Sequence, residues 1–240
     1  MDEYINQIER IKVKLTIAKK KDRQLKVFGA NRHEYVISRP ASEVQIKNFE
    51  NRYGIELPQS YKSFVSRVGN GGISAMNSGA GPYYGIFPLG SHLSELTDYP
   101  EDFLSKDCIL HPDMTDDEWK ELIRKIEENE EISDADFDIE RGKIFGGILP
   151  IGSQGCTFIH GLVINGPNKG RVLNLDIDYQ KPQFTFEENF LDWYERWLDE
   201  VILGKLDKSP SWFGYIKRDF EVLSLDSLEA KPKRSFKFWK

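Results

Sequence analysis

Cysteine is nearly absent from this chain: its 240 residues include two, Cys108 and Cys156. Two thiols cannot build the disulfide framework of a small secreted domain, and they fit a reducing compartment. Long apolar runs are missing as well. No eighteen consecutive apolar residues occur, and the opening MDEYINQIERIKVKL is charged throughout, without the apolar centre of a signal peptide. The chain therefore reads as soluble and cytoplasmic, with no membrane attachment. Familiar catalytic motifs are lacking too. There is no glycine loop ending in Gly-Lys-Ser/Thr, no Gly-x-Ser-x-Gly elbow and no His-Glu-x-x-His. These gaps point away from an enzyme and imply no cofactor.

What is present begins with a core: 39% hydrophobic residues and 12% aromatics are enough for a folded domain and argue against disorder throughout. The chain is organised around Ser42 to Gly90. Ser42 with Gln45 forms a capping box, Gly54 supplies a left-handed stop, and Ile46, Phe49 and Tyr53 share one helical face. Leu57-Pro58 restarts the chain into a second helix, with Tyr61, Phe64, Val65 and Val68 as its apolar stripe. Gly69-Asn70-Gly71-Gly72 ends it, and the stretch from Ile73 to Gly85 is glycine-rich. A phosphate loop would need a helix after it, whereas Tyr83-Tyr84-Gly85-Ile86-Phe87 reads as extended.

The order of a helix, then LPxxYxxFxxxVGNGG, then GPYYGIFPL resembles the signature of the SUKH superfamily, the Smi/Knr-like proteins, in their long bacterial type. Further blocks extend the resemblance: Phe28-Gly29-Ala30 with His33 and Tyr35, Gly155-Cys156, Leu162 to Pro167, and Phe190 to Leu198. The family implies an α+β fold, a mixed and mainly antiparallel sheet with helices packed on one side. It implies a non-enzymatic binding protein, an immunity protein that neutralises a bacterial toxin of nuclease or deaminase class. The other role it brings is an intracellular regulator or adaptor of cell wall or signalling. The stretch ISAMNS, residues 73 to 78, lengthens the glycine-rich loop relative to the compact family form.

Around that centre, residues 1–40 are expected to hold an N-terminal helix and a lead-in strand at 33–37. Residues 41–204 form the core domain, and 205–240 a C-terminal extension. Tyr4, Ile8, Ile11, Leu15 and Ala18 give the first helix a stripe that docks on the protein's own core. Thr115 caps another helix with Glu118, and Trp119, Leu122, Ile123 and Ile126 are its buried face. From Asp113 to Glu140 thirteen acids face three bases, a net −10 in a chain of −6, so the remainder is +4. That acidic insertion reads either as a wet helix face or as a surface for a basic partner. Gly142 to Ile151, Phe158 to Ile164 and Arg171 to Ile177 read as strands, the last with one covered face, and Asn165 to Gly170 as a hairpin connection. Phe190, Trp193, Tyr194, Trp197, Leu198 and Val201 mark an amphipathic helix lying across the sheet. The basic and aromatic tail, AKPKRSFKFWK, reads as a terminal strand or a cover for the acidic segment, and nucleic acid is not an expected partner.

The candidate partner surface is therefore Asn70, Gly71 and Gly72, then Gly81, Pro82, Tyr83, Tyr84 and Gly85, and the acids Asp113, Asp116, Asp117, Asp134, Asp136 and Asp138. Its expected ligand is a cognate protein toxin of basic character. No metal is expected, although Cys108, His111, Cys156 and His160 together supply the two sulfurs and two nitrogens of a tetrahedral zinc site.

Overall fold

The computed structural model describes residues 3–127, 131–206 and 216–229. Its longer helices are α1 (Ile5–Lys21), α3 (Glu43–Tyr53), α4 (Gln59–Arg67), α6 (Asp116–Glu127), α7 (Asp134–Ile144) and α8 (Phe190–Ile202). Short turns of helix lie between and after them: α2 (Ala30–His33), α5 (Pro100–Phe103) and α9 (Leu225–Glu229). The strands β1 (Ile148–Gly155), β2 (Phe158–Val163), β3 (Val172–Asp176) and the two-residue β4 (Gln183–Phe184) form one antiparallel sheet in sequential order. This is an α+β fold, as expected.

Local chemistry sets the helix ends. The Ser42 hydroxyl accepts from the Gln45 amide at 3.2 Å while the Gln45 side chain accepts from the Ser42 amide at 2.9 Å, and Gly54 closes α3 at φ +62°. Thr115 and Glu118 make the same reciprocal pair at the start of α6. Pro58 stands just ahead of α4, which starts at Gln59. The strand expected from Gly142 begins at Ile148 instead. The cap of α7, where Ser133 Oγ accepts from the Asp136 amide, nucleates a helix that runs to Ile144.

Strand alternation divides the sheet between two cores. Leu149, Ile151, Leu162 and Val172 pack with α1, α3, α4 and α8, while Ile148, Ile159, Val163, Leu173 and Leu175 pack with Trp119 and Ile123 of α6 and Ile144 of α7. The helices of the family-type core thus share one side, and the acidic insertion covers the other. In consequence β3 is buried on both faces, where one covered face was expected. The β2–β3 connection at 165–170 closes as expected, with Gly170 donating to the Val163 carbonyl at 2.8 Å.

Two readings change at the N-terminal side. Residues 33–37 are no strand: Glu34 and Tyr35 have φ of +50° and +55°, which folds the chain back after α2. Pairing survives only beyond them, where the Ala80 amide donates to Val36 O at 2.7 Å and the Ser38 amide to Gly71 O at 2.8 Å. The second change concerns α8, which is buried on all sides, where an amphipathic helix was expected. Trp193, Tyr194 and Trp197 fill the core, while Glu195 and Asp199 meet α1 and Arg196 pairs with Glu187 at 2.7 Å. Lys14, fully buried, places Nζ 2.8 Å from Glu195 and 2.6 Å from Asp199, and Arg10 pairs with Glu195 at 2.9 Å. Docking of α1 on its own chain is thus half apolar and half ionic.

Candidate functional site

The glycine-rich loop extends the sheet past β1. Gly79 and Ile86 exchange backbone hydrogen bonds at 2.8 and 2.9 Å, the Phe87 amide donates to Ile151 O at 2.9 Å, and the Tyr84 amide to Ser153 O at 3.2 Å. Asn70 Oδ1 accepts from the Leu89 amide at 2.7 Å and pins the loop's far end. Below it, Tyr194 Oη donates to Ala80 O at 2.8 Å. Gly71, Gly72, Gly81, Pro82, Tyr83 and Gly85 are all buried. A Cβ on Gly72 would overlap the Gly79 backbone, and one on Gly85, whose φ is +98°, would overlap the Gly79 carbonyl. These members of the expected site sit inside the fold, holding backbone against backbone.

Two histidines flank the loop, both neutral. Burial pushes His33 down to about 4, against the opposing Gly81 carbonyl and the Asp22 charge; its ring stands edge-on to Trp197, 5.8 Å between centroids. Burial pushes His160 down to about 3, against its hydrogen bond with Asn174, and its ring lies 5.4 Å from Tyr83 and 5.0 Å from Trp193. Sequence reasoning reached neither as a support of the loop, because both partners are distant in the chain.

What the loop shows to solvent is its lengthened part. Ile73, Ala75 and Asn77 are exposed, and Tyr84 is half-buried beneath the Arg32 guanidinium, 6.0 Å from the ring centre. Arg32, Met76, Tyr84, Glu95, Ser153 and Cys156 line a cavity of about 430 Å³ here. It lies in the size range of ligand clefts. Glu95 links this margin to the acidic insertion, since the Arg141 side chain of α7 donates to Glu95 O.

The acids of the insertion turn outward. Asp113, Asp116, Asp117, Asp134 and Asp136 are exposed, and Asp138 is partly so. Asp116 pairs with Lys181, and Ser133 Oγ donates to Asp136 at 2.7 Å. Local desolvation, followed by the neighbouring Asp98 carboxylate, holds the Asp138 carboxyl above its ordinary range. Loop and acids thus form two areas, one mostly buried and one mostly open.

The four-residue zinc alternative is not assembled. Cys108 is buried in the core beneath the insertion, donating Sγ to Leu110 O at 3.8 Å, and burial pushes its thiol up to about 11. Cys156 stands exposed at the β1–β2 turn, and His160 is inside with Asn174. Among the described residues no three of His, Cys, Asp or Glu are grouped to hold a metal ion. No helix among them is long and apolar enough to cross a membrane. The basic tail, 230–240, lies outside the described residues.

The sheet thus carries a glycine-rich margin beyond β1 and an acidic helical cover on one face. The chain belongs to the SMI1 / KNR4 family (SUKH-1), whose model matches residues 40–196. Comparison with curated proteins gives no match, nor does comparison with solved structures.

Proposed function

We propose that the protein is a non-enzymatic binding module, an immunity protein that neutralises a basic toxin of nuclease or deaminase class through its α6–α7 surface. One observation carries the reading: the insertion spends its apolar side, Trp119 and Ile123, on the sheet and keeps Asp113, Asp116, Asp117, Asp134 and Asp136 in water. Desolvation first, and then the charge of Asp98, hold the Asp138 carboxyl above its ordinary range, and a cationic partner offsets that charge. An anionic surface of this kind can occupy the groove a nuclease uses for phosphate. Family membership supports the same assignment, and the exposed part of the lengthened loop at 73–77 offers a second contact beside it.

The test is capture of the partner from the native strain, or rescue by co-expression with a toxin encoded beside the gene. Asp113→Lys with Asp134→Lys is expected to weaken binding about tenfold or more and to flatten its salt dependence. Unchanged affinity at low ionic strength removes the acidic surface from the account.

A further inference from the structure

A second groove, of about 300 Å³, shares Arg32 and Tyr84 with the larger cavity and is otherwise shaped by Leu25, Lys26, Phe28 and Asn31. Among the described residues its lining holds two cations and no carboxylate, unlike the larger cavity, which includes Glu95. The groove is preformed by backbone chemistry. Asp22, buried, accepts from the Lys26 amide at 2.7 Å, the Val27 amide at 3.1 Å and Tyr35 Oη at 2.8 Å. That ties the Asp22 carboxylate inward and fixes the backbone at Lys26 and Val27, while the Lys26 and Arg32 side chains stay exposed. Gly29, at φ +80°, lets the same turn press on the Tyr83 carbonyl where any Cβ would collide. Phe28 remains 40% exposed, packed 5.4 Å from Tyr84 and 5.6 Å from Tyr83.

The stretch of chain that forms the groove is predominantly basic. From Lys19 to Arg39 seven bases face two acids, of which Asp22 is buried and Glu34 exposed, a net +5. A cationic groove with an exposed aromatic anchor complements an anionic chain that also carries an apolar side chain. We propose that this groove docks an acidic segment of a partner protein, with carboxylates at Lys26 and Arg32 and an apolar or aromatic side chain against Phe28 and Tyr84. Single-stranded nucleic acid fits less well, because successive bases need successive open rings. Here Phe28 is the exposed ring, and Tyr84 is overlain by Phe28 and Arg32. The site differs from the acidic surface in place and in charge, so either assignment can fail alone.

Fluorescence anisotropy of the full chain with a short labelled peptide of repeated Glu-Glu-Phe tests it, beside a Lys-Lys-Phe peptide and an oligothymidine of the same length. The acidic peptide is expected to bind, weakening as salt rises. Lys26→Glu with Arg32→Glu is expected to reduce its affinity about tenfold or more, and Phe28→Ser several-fold. Asp113→Lys with Asp134→Lys should leave it within about twofold, since those charges lie beyond the groove. Tighter binding of the oligothymidine, binding of the Lys-Lys-Phe peptide at equal strength by the Asp113→Lys with Asp134→Lys variant, or no response of the acidic peptide to Lys26→Glu with Arg32→Glu each overturns the proposal. Because Lys26 and Arg32 are exposed, the unfolding curve of their double variant should match the parent chain and separate lost binding from lost fold.

Discussion

The glycine-rich loop and the acidic insertion carry opposite designs. The loop is the part of the chain richest in family-type residues, and nearly all of them are inside, where Gly72 and Gly85 let two backbone segments touch and Tyr83 fills space beside His160. The insertion has a plain amphipathic pattern, and its polar half is open to water. Residues that define a fold family need not be residues that meet a partner. The surfaces proposed above for recognition, the acidic insertion, the loop at 73–77 and the basic turn at 22–32, expose instead the charged and lengthened parts of the chain.

The contrast can be broken most severely at the loop. Gly85→Ala places a methyl on the Gly79 carbonyl at a backbone angle alanine resists, and is expected to cost about 4 kcal/mol or more, read by urea unfolding. A loss under about 1 kcal/mol would mean that the loop is pliable and that its glycines serve something other than packing. Next in size is Lys14→Ala beneath α1. It strips the buried Glu195 and Asp199 of their shared cation, and should cost about 3 kcal/mol and free α1 for hydrogen exchange. Lys14→Met, of similar volume, still leaves Asp199 without its cation and Glu195 with Arg10 alone, and should not restore stability.

Acid separates the regions in a graded way. His33 and His160 are held neutral in the fold, at about 4 and about 3, against an ordinary value of 6.5. The unfolded chain takes up protons below that value which the fold refuses, so stability is complete above it and falls as pH drops toward 4. Each pH unit per histidine is worth about 1.4 kcal/mol within that window. Unfolding midpoints at neutral pH and near pH 5 check this. A flat profile across the window would show that the loop is not seated on neutral imidazoles. The smallest effect belongs to the insertion: Asp113→Lys with Asp134→Lys should shift stability by about 1 kcal/mol at most, while altering partner binding. A large stability loss there would turn the acidic surface from a recognition device into a structural one.

Much of the local structure was legible beforehand because it is written in neighbouring residues. Ser42 with Gln45 and Thr115 with Glu118 are contacts three residues apart, so α3 and α6 could be placed without a fold, and the turn at 165–170 announced the β2–β3 pair. The failures share a cause. Lys14 sits in the buried stripe of α1, and its role depends on carboxylates about 180 residues away in the chain. The wholly buried α8 looked amphipathic because its charged residues find partners on α1 and at Glu187, not in water. Residues 33–37 have strand-like composition, and the turn at Glu34 and Tyr35 goes with Tyr35's distant contacts, its ring stacked 5.8 Å from Trp197 and its Oη donating to Asp22. Of the candidate site, the acids at 113–138 could be read from charge density alone. The inward placement of the glycines could not.

Capping pairs, turn residues and charge density by themselves marked the helix starts, the β2–β3 turn and a concentrated block of acids, and the LPxxYxxFxxxVGNGG and GPYYGIFPL stretches carried the resemblance to the SMI1 / KNR4 type, since such signals lie between neighbours and need no fold to be read. Tertiary structure alone decided which of the marked residues face water, because burial is set by distant segments meeting. A glycine that touches another strand and a lysine that meets two carboxylates on another helix look, in one dimension, like a loop and a surface charge.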